Sequence, residues 1–177
     1  FKKEAAFYKK RGGNVLWVGH PMIDLTKKLP LKKDARTILN LRPNQNILLL
    51  MPASRPQELR YVLPTFMKAA KKLQQKYPSL VVYIPSCRSS FDEIFKKAFR
   101  KYQVKGHVIS QKDSAKLKPY IYSLTKIAFC KSGTVNMELA LYGIPQIVGY
   151  RVSRVTAFIA KKILNFKVRF ISPVNLL

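Results

Sequence analysis

What most constrains this chain is a series of short, unbroken apolar runs of strand length, separated by segments of helical period. The runs are 15–18 (VLWV, ending at Gly19), 46–51 (NILLLM, closed by Pro52), 80–84 (LVVYI), a weaker 107–109, 126–130 (KIAFC) and 146–150 (QIVGY). A strand that is apolar on both of its faces is one covered on both faces, which is the situation of a parallel sheet between helix layers. The spacers fit that picture. Residues 64–77 place Phe66, Ala70, Leu73 and Tyr77 on one side with lysines opposite, and Pro78 stops the segment. Phe91, Ile94, Phe95, Ala98 and Tyr102 share a helical stripe over 91–102. Residues 135–142 make a compact helix closed by Gly143 with Pro145 behind it, and 153–164 make another, apolar at Val155, Phe158, Ile159 and Ile163. The polar stretch 27–44, with Pro30 and Pro43, reads as a surface connection with a short helix. The expected class is α/β: a Rossmann-like, doubly wound parallel sheet.

A length of 177 residues suits one domain with a real core. The chain starts at Phe1 rather than Met and stops on Leu176-Leu177, so a piece of a longer polypeptide is expected. Its charge is extreme, +26 from 34 Lys and Arg against 8 Asp and Glu. Such a surface attracts polyanions, anionic lipid headgroups and phosphorylated substrates alike. The basic residues are spread along the chain, as in Lys9-Lys10-Arg11, Lys71-Lys72, Lys96-Lys97 and Lys161-Lys162, which suits solvated helix faces. No RNA-binding aromatic signature or zinc-finger spacing turns this charge into specific nucleic-acid recognition. Cys87 and Cys130 each lie near the end of an apolar run and are expected as reduced core thiols. His20 and His107 lie far apart with no Cys or carboxylate at ligand spacing, so no metal site is expected. No apolar run approaches the roughly 20 residues of a membrane span, so membrane contact would be peripheral.

In an open α/β sheet, ligands sit beyond the carboxyl ends of the strands. Two loops qualify. The first is Pro52-Ala53-Ser54-Arg55-Pro56-Gln57-Glu58, after the 46–51 run. Arg55 brings a planar permanent charge suited to bidentate grip of phosphate oxygens. The competing view makes this an ordinary helix start, Ser54 capping and Gln57 completing a capping box. The second loop is Lys131-Ser132-Gly133-Thr134, a glycine turn between a strand and a helix, where backbone N–H groups and the helix dipole face one spot. Glu138 lies one helical turn further on. It could accept hydrogen bonds from a ribose diol, or it could face solvent and pair with a lysine. Taken together, the loops suggest a phosphorylated ligand pinned between Arg55 and the Ser132 turn.

Phe1, Glu4, Phe7 and Tyr8, then VGHPMID (18–24), MPASRPQE (51–58), SGTVNMELA (132–140), IPQIVGYR (144–151) and SPVNLL (172–177), follow one another along the chain. This series resembles the lipid-A-disaccharide synthase family over nearly the whole chain. The resemblance implies a GT-B glycosyltransferase, with this chain as its C-terminal, donor-binding part. Residues 1–14 would then be an inter-domain connection and 15–177 a UDP-sugar-binding Rossmann-like domain without the family's final helices. The implied reaction moves 2,3-diacylglucosamine from its UDP-linked donor to 2,3-diacylglucosamine 1-phosphate, with inversion and without cofactor or metal. By position, Ser54 and Arg55 match the family's basic loop near the diphosphate. Ser132, Gly133 and Thr134 match its phosphate turn, and Glu138 its ribose carboxylate. Tyr150, Arg151 and Asn175 match cleft-lining positions, and His20 falls in a loop at the inter-domain cleft. Two departures stand out. Ala53 replaces the usual Gly, and the carboxylates that would act as general base belong to a preceding half. The resemblance further implies a lipid acceptor, peripheral membrane contact and a homodimer that exchanges C-terminal helices. The lysine content and the SPVNLL ending look like cyanobacterial or plant versions. The implied compartment is thus the cytoplasmic face of a bacterial inner membrane, or a mitochondrion or plastid. Two other readings stand beside this one. Another UDP-sugar GT-B enzyme, a peptidoglycan-precursor glycosyltransferase or a UDP-N-acetylglucosamine epimerase, would differ in its product. A polyanion-binding basic module would show steep salt dependence and no preference for uridine.

Overall fold

The computed structural model of the chain describes residues 2–26, 28–151 and 153. Its centre is a five-stranded sheet of β1 (Asn46–Met51), β2 (Leu80–Pro85), β3 (Gly106–Ile109), β4 (Thr125–Lys131) and β5 (Gln146–Gly149). The spatial order is β3-β2-β1-β4-β5, and every neighbouring pair is parallel. The chain walks outward from β1 to β3, then crosses back to lay β4 on the other side of β1. The switch point of this doubly wound sheet therefore lies between β1 and β4, where Met51 at the end of β1 pairs with Cys130.

The unbroken apolar run of β1 has a simple cause. Leu48 and Leu50 enter a core with Val62, Phe66, Met67, Phe91 and Phe95, on helices α4 (Pro56–Lys76) and α5 (Ser89–Tyr102). Ile47 and Leu49 enter the opposite core with Ala35, Ile121, Tyr122 and Leu139. These come from α3 (Lys32–Ile38), α6 (Gln111–Leu124) and α7 (Thr134–Leu141). Alternate side chains thus point into two cores, and all four are fully buried. Two further helices, α1 (Lys2–Lys9) and α2 (Pro21–Leu25), precede the sheet.

Several sequence expectations need correction. Residues 15–18 form no strand: Leu16 and Val18 are each 83% exposed, and among the described residues no strand pairs with this run. Helix α4 starts at Pro56, not Pro64, which lies inside it. An internal proline costs about 3 kcal/mol, but Leu59, Val62 and Leu63 extend the buried stripe of Phe66, Met67 and Ala70 across it. The whole of α6 escapes a pattern reading because Pro119 and four polar residues in its first turn blur the period. Its start is nonetheless marked, since Ser110 Oγ accepts from the Asp113 N–H. Cys130 is buried as expected, whereas Cys87 is exposed and no core thiol. The short helix expected within 27–44 is α3. The helix expected at 153–164 lies outside the described residues, save Ser153.

Candidate functional site

The loops after β1 and β4 leave the sheet side by side, because their strands are neighbours. Between them is a cavity of about 290 Å³ lined by Met51 to Arg55, Pro85, Cys87, Phe95 and Lys131 to Val135. Ser54, Arg55, Ser132, Gly133 and Thr134, named from two stretches nearly eighty positions apart, thus line one space. The capping view of the first loop does not hold: Arg55 is the N-cap of α4, by backbone alone, and Pro56 takes the first helical position. Ser54 stays on the cavity wall, and the Arg55 side chain is 78% exposed.

The second loop is held from behind by Asn136, which has no exposed surface. Its Oδ1 accepts from the Gly133 N–H at 2.9 Å, and its own N–H donates to Gly133 O at 3.1 Å. Its Nδ2 donates to Lys131 O at 3.3 Å and to Gln146 Oε1 at 3.1 Å, while Gln146 Nε2 returns a bond to Asn136 O at 2.9 Å. Both polar ends of Asn136 are thereby used to tie β4, the start of α7 and β5 together. One consequence concerns the anion site expected here. The Gly133 N–H is committed internally, whereas Thr134 and Val135 line the cavity and, as the first helical positions, have backbone N–H groups with no intrahelical acceptor. A Cβ on Gly133 would meet no atom within 4 Å, so the space before it is open.

Lys131, the last residue of β4, lines the same cavity. Its Nζ lies 2.7 Å from Glu58 Oε1, with both side chains about one-fifth exposed, and Arg55 lies 4.0 Å from the same oxygen. Glu58 also borders a second cavity of about 450 Å³, where Tyr150 and Arg151 are found with Gln57, Arg60, Tyr61 and Ser153. Arg151 Nη1 donates to Thr65 Oγ1 at 3.2 Å. The Lys131–Glu58 pair therefore joins the two cavities.

Glu138 is not among the residues lining the first cavity. It takes the lysine alternative, with Lys118 Nζ 2.7 Å from Oε1. Burial, and then the Glu138 carboxylate beside it, hold the Tyr122 hydroxyl far above the ordinary tyrosine range. His20 caps α2, its Nδ1 accepting from the Met22 N–H at 3.2 Å, and α2 lies beside α7. Asn175 lies outside the described residues. Asn136, Gln146 and the Lys131–Glu58 pair were not singled out by sequence reasoning; only an Asn three residues after the turn glycine signalled a reciprocal cap. Among the described residues no group of three metal-ligating side chains occurs, and no helix is long and apolar enough to cross a membrane.

The sheet order and the open cavity at its switch point define the class: a Rossmann-type α/β domain with a basic loop and a helix start meeting at the strand ends. The particular family follows from comparison. A family model described as lipid-A-disaccharide synthetase matches residues 1–177, and the chain belongs to that family. It is 51% identical over 177 residues to a lipid-A-disaccharide synthase of Prochlorococcus marinus, covering 100% of this chain and 45% of that protein. To the synthase of Gloeothece citriformis it is 38% identical over 176 residues, covering 99% and 44%. To that of Vibrio vulnificus it is 33% identical over 177 residues, covering 98% and 44%. The chain thus spans less than half the length of these relatives. Among solved structures it is similar in outline to WaaG, a glycosyltransferase involved in lipopolysaccharide biosynthesis, with a TM-score of 0.46 and 14% identity over 68% of this chain and 33% of that one.

Proposed function

We propose that this chain is the donor-binding part of a lipid-A-disaccharide synthase of GT-B architecture. The complete enzyme would transfer 2,3-diacylglucosamine from its UDP-linked donor to 2,3-diacylglucosamine 1-phosphate. The observation that carries this reading, within the family, is the meeting of the Arg55 loop and the first turn of α7 on one cavity. A diphosphate seated there would receive the Arg55 guanidinium and the Thr134 and Val135 amides, at the positive end of a helix dipole. The same groups would stabilise charge growing on UDP as the glycosidic bond to it breaks. Glu138 would take the ribose diol while remaining paired with Lys118. Tyr150, Arg151, Asn175 and His20 would border the cleft toward the other half, which would supply the general base. The strong basic charge suits peripheral contact with an anionic membrane. Homodimer formation and a cytoplasmic-face or organellar location belong to the same proposal.

The test is product analysis with the full-length protein, given acylated and non-acylated UDP-linked donors. A β-1,6-linked disaccharide from the acylated donor alone is the expected result. Release of free sugar, epimerised donor or a peptidoglycan-type product would overturn it.

A further inference from the structure

Lys131 stands between two side chains and the cavity it lines. Glu58 Oε1 stands 2.7 Å from its ammonium, the Tyr150 ring centroid stands 5.9 Å away, and the residue lines the cavity together with Ser54 and Thr134. An ammonium carries three donors, and the carboxylate contact uses one of them. On the far side of the pair, Glu58 Oε2 is buried with no hydrogen-bond partner. Such a carboxylate is held in place by the charge it faces and has little reason to sit there otherwise. Arg55, 4.0 Å from Glu58 and 78% exposed, is held far less closely than Lys131, which is 21% exposed.

We propose that Lys131 is the second cation of the diphosphate site and that Glu58 is its positioning residue. This rests on the donor-site reading above and deepens it. Arg55 and the α7 amides meet one phosphoryl group; Lys131, rising from the adjacent strand end, meets the other. The site would thereby tell a nucleoside diphosphate from a monophosphate. Glu58 would fix Lys131 at the end of β4 through one of its three N–H donors, leaving two for a phosphoryl group.

The experiment is calorimetric titration of full-length protein with UDP, uridine monophosphate and inorganic pyrophosphate, using wild type, Glu58→Gln, Lys131→Met and the double variant. Lys131→Met alone leaves the largely buried Glu58 carboxylate with only the 4.0 Å contact of the exposed Arg55 and is expected to lose stability. The double variant removes both charges, keeps wild-type net charge, and is the informative protein. It is expected to lose about ten-fold or more in affinity for UDP and pyrophosphate, while uridine monophosphate changes by less than about two-fold. Glu58→Gln adds a net positive charge, yet is expected to weaken UDP by several-fold, and to cost nothing further when Lys131 is already Met. Unchanged UDP affinity in the double variant, or tighter UDP binding by Glu58→Gln, would overturn the proposal. Pyrophosphate keeps the two layers apart. Wild type that binds pyrophosphate in a Lys131-dependent way but ignores uridine would leave this assignment standing and remove the donor reading. Wild type that binds none of the three would remove both.

Discussion

Lys118 Nζ lies 2.7 Å from Glu138 Oε1, and this one ion pair ties α6 to α7 across the back of the candidate site. Both side chains are only partly buried, so solvent screens the pair, and Lys118→Met is expected to cost about 0.5–1 kcal/mol of stability. Glu138→Gln separates structure from ligand. It is expected to weaken UDP about ten-fold, or about 1.4 kcal/mol, by titration, while pyrophosphate affinity stays within two-fold. Equal loss for both ligands would show that Glu138 acts by holding the helices and not through the ribose.

Asn136 makes a sharper structural prediction. Its removal leaves the part-buried Gly133 N–H without its acceptor and takes one of two donors from Gln146 Oε1, which keeps Cys130 Sγ at 3.2 Å, so Asn136→Ala is expected to cost about 1–3 kcal/mol in urea unfolding. A loss under 0.5 kcal/mol would mean that water or rearrangement replaces the network.

Two glycines in the sheet differ in what lies beside them. A Cβ on Gly106 would stand 2.1 Å from the Val82 carbonyl oxygen, which is backbone of the neighbouring strand β2 and cannot turn aside. On Gly149 it would stand 2.5 Å from the Phe66 ring, which can tilt. Gly106→Ala is therefore expected to cost about 3 kcal/mol or more, and Gly149→Ala less, in the same denaturation experiment.

Burial pushes the Cys130 thiol up from 9.0 to about 11 and the Tyr83 hydroxyl from 10.0 to about 12. In each case the unfolded chain ionises first. This contribution to stability is complete below pH 9 and declines as pH rises from 9 through 11, more steeply once tyrosine joins above 10. The loss between pH 8.5 and 10.5 should accordingly be larger in wild type than in Cys130→Ala, read from urea midpoints. The exposed Cys87 should alkylate at pH 8 in the folded protein, whereas Cys130 should not.

The parallel sheet was legible in the sequence because β1, β2 and β4 are apolar on both faces, a pattern few other architectures require. The cavity was legible for a related reason: a turn after each of two central strands, one bearing Arg55 and the other Gly133, must open on the same end of the sheet. What could not be read were features set by tertiary partners. The 15–18 run has strand composition but pairs with no strand among the described residues. Pro64 signals a helix boundary, yet the stripe from Leu59 to Ala70 overrides it. Glu138 offered two roles at equal spacing merit, and only the position of Lys118, twenty residues earlier on another helix, shows the pairing. The Lys131–Glu58 contact likewise joins residues 73 positions apart.

Heat protection of the full-length protein by UDP tests the central claim most directly. Thermal unfolding would be followed with and without UDP, in wild type and in Arg55→Ala. A ligand at about 100 times its dissociation constant stabilises the folded state by about 2.7 kcal/mol, which shifts the midpoint by several degrees. The expected result is such a shift in wild type and its near-complete loss in Arg55→Ala, whose midpoint without UDP should match wild type because the side chain is exposed. Equal protection of both proteins, or none in wild type, would contradict the assignment of this cavity to a nucleoside diphosphate.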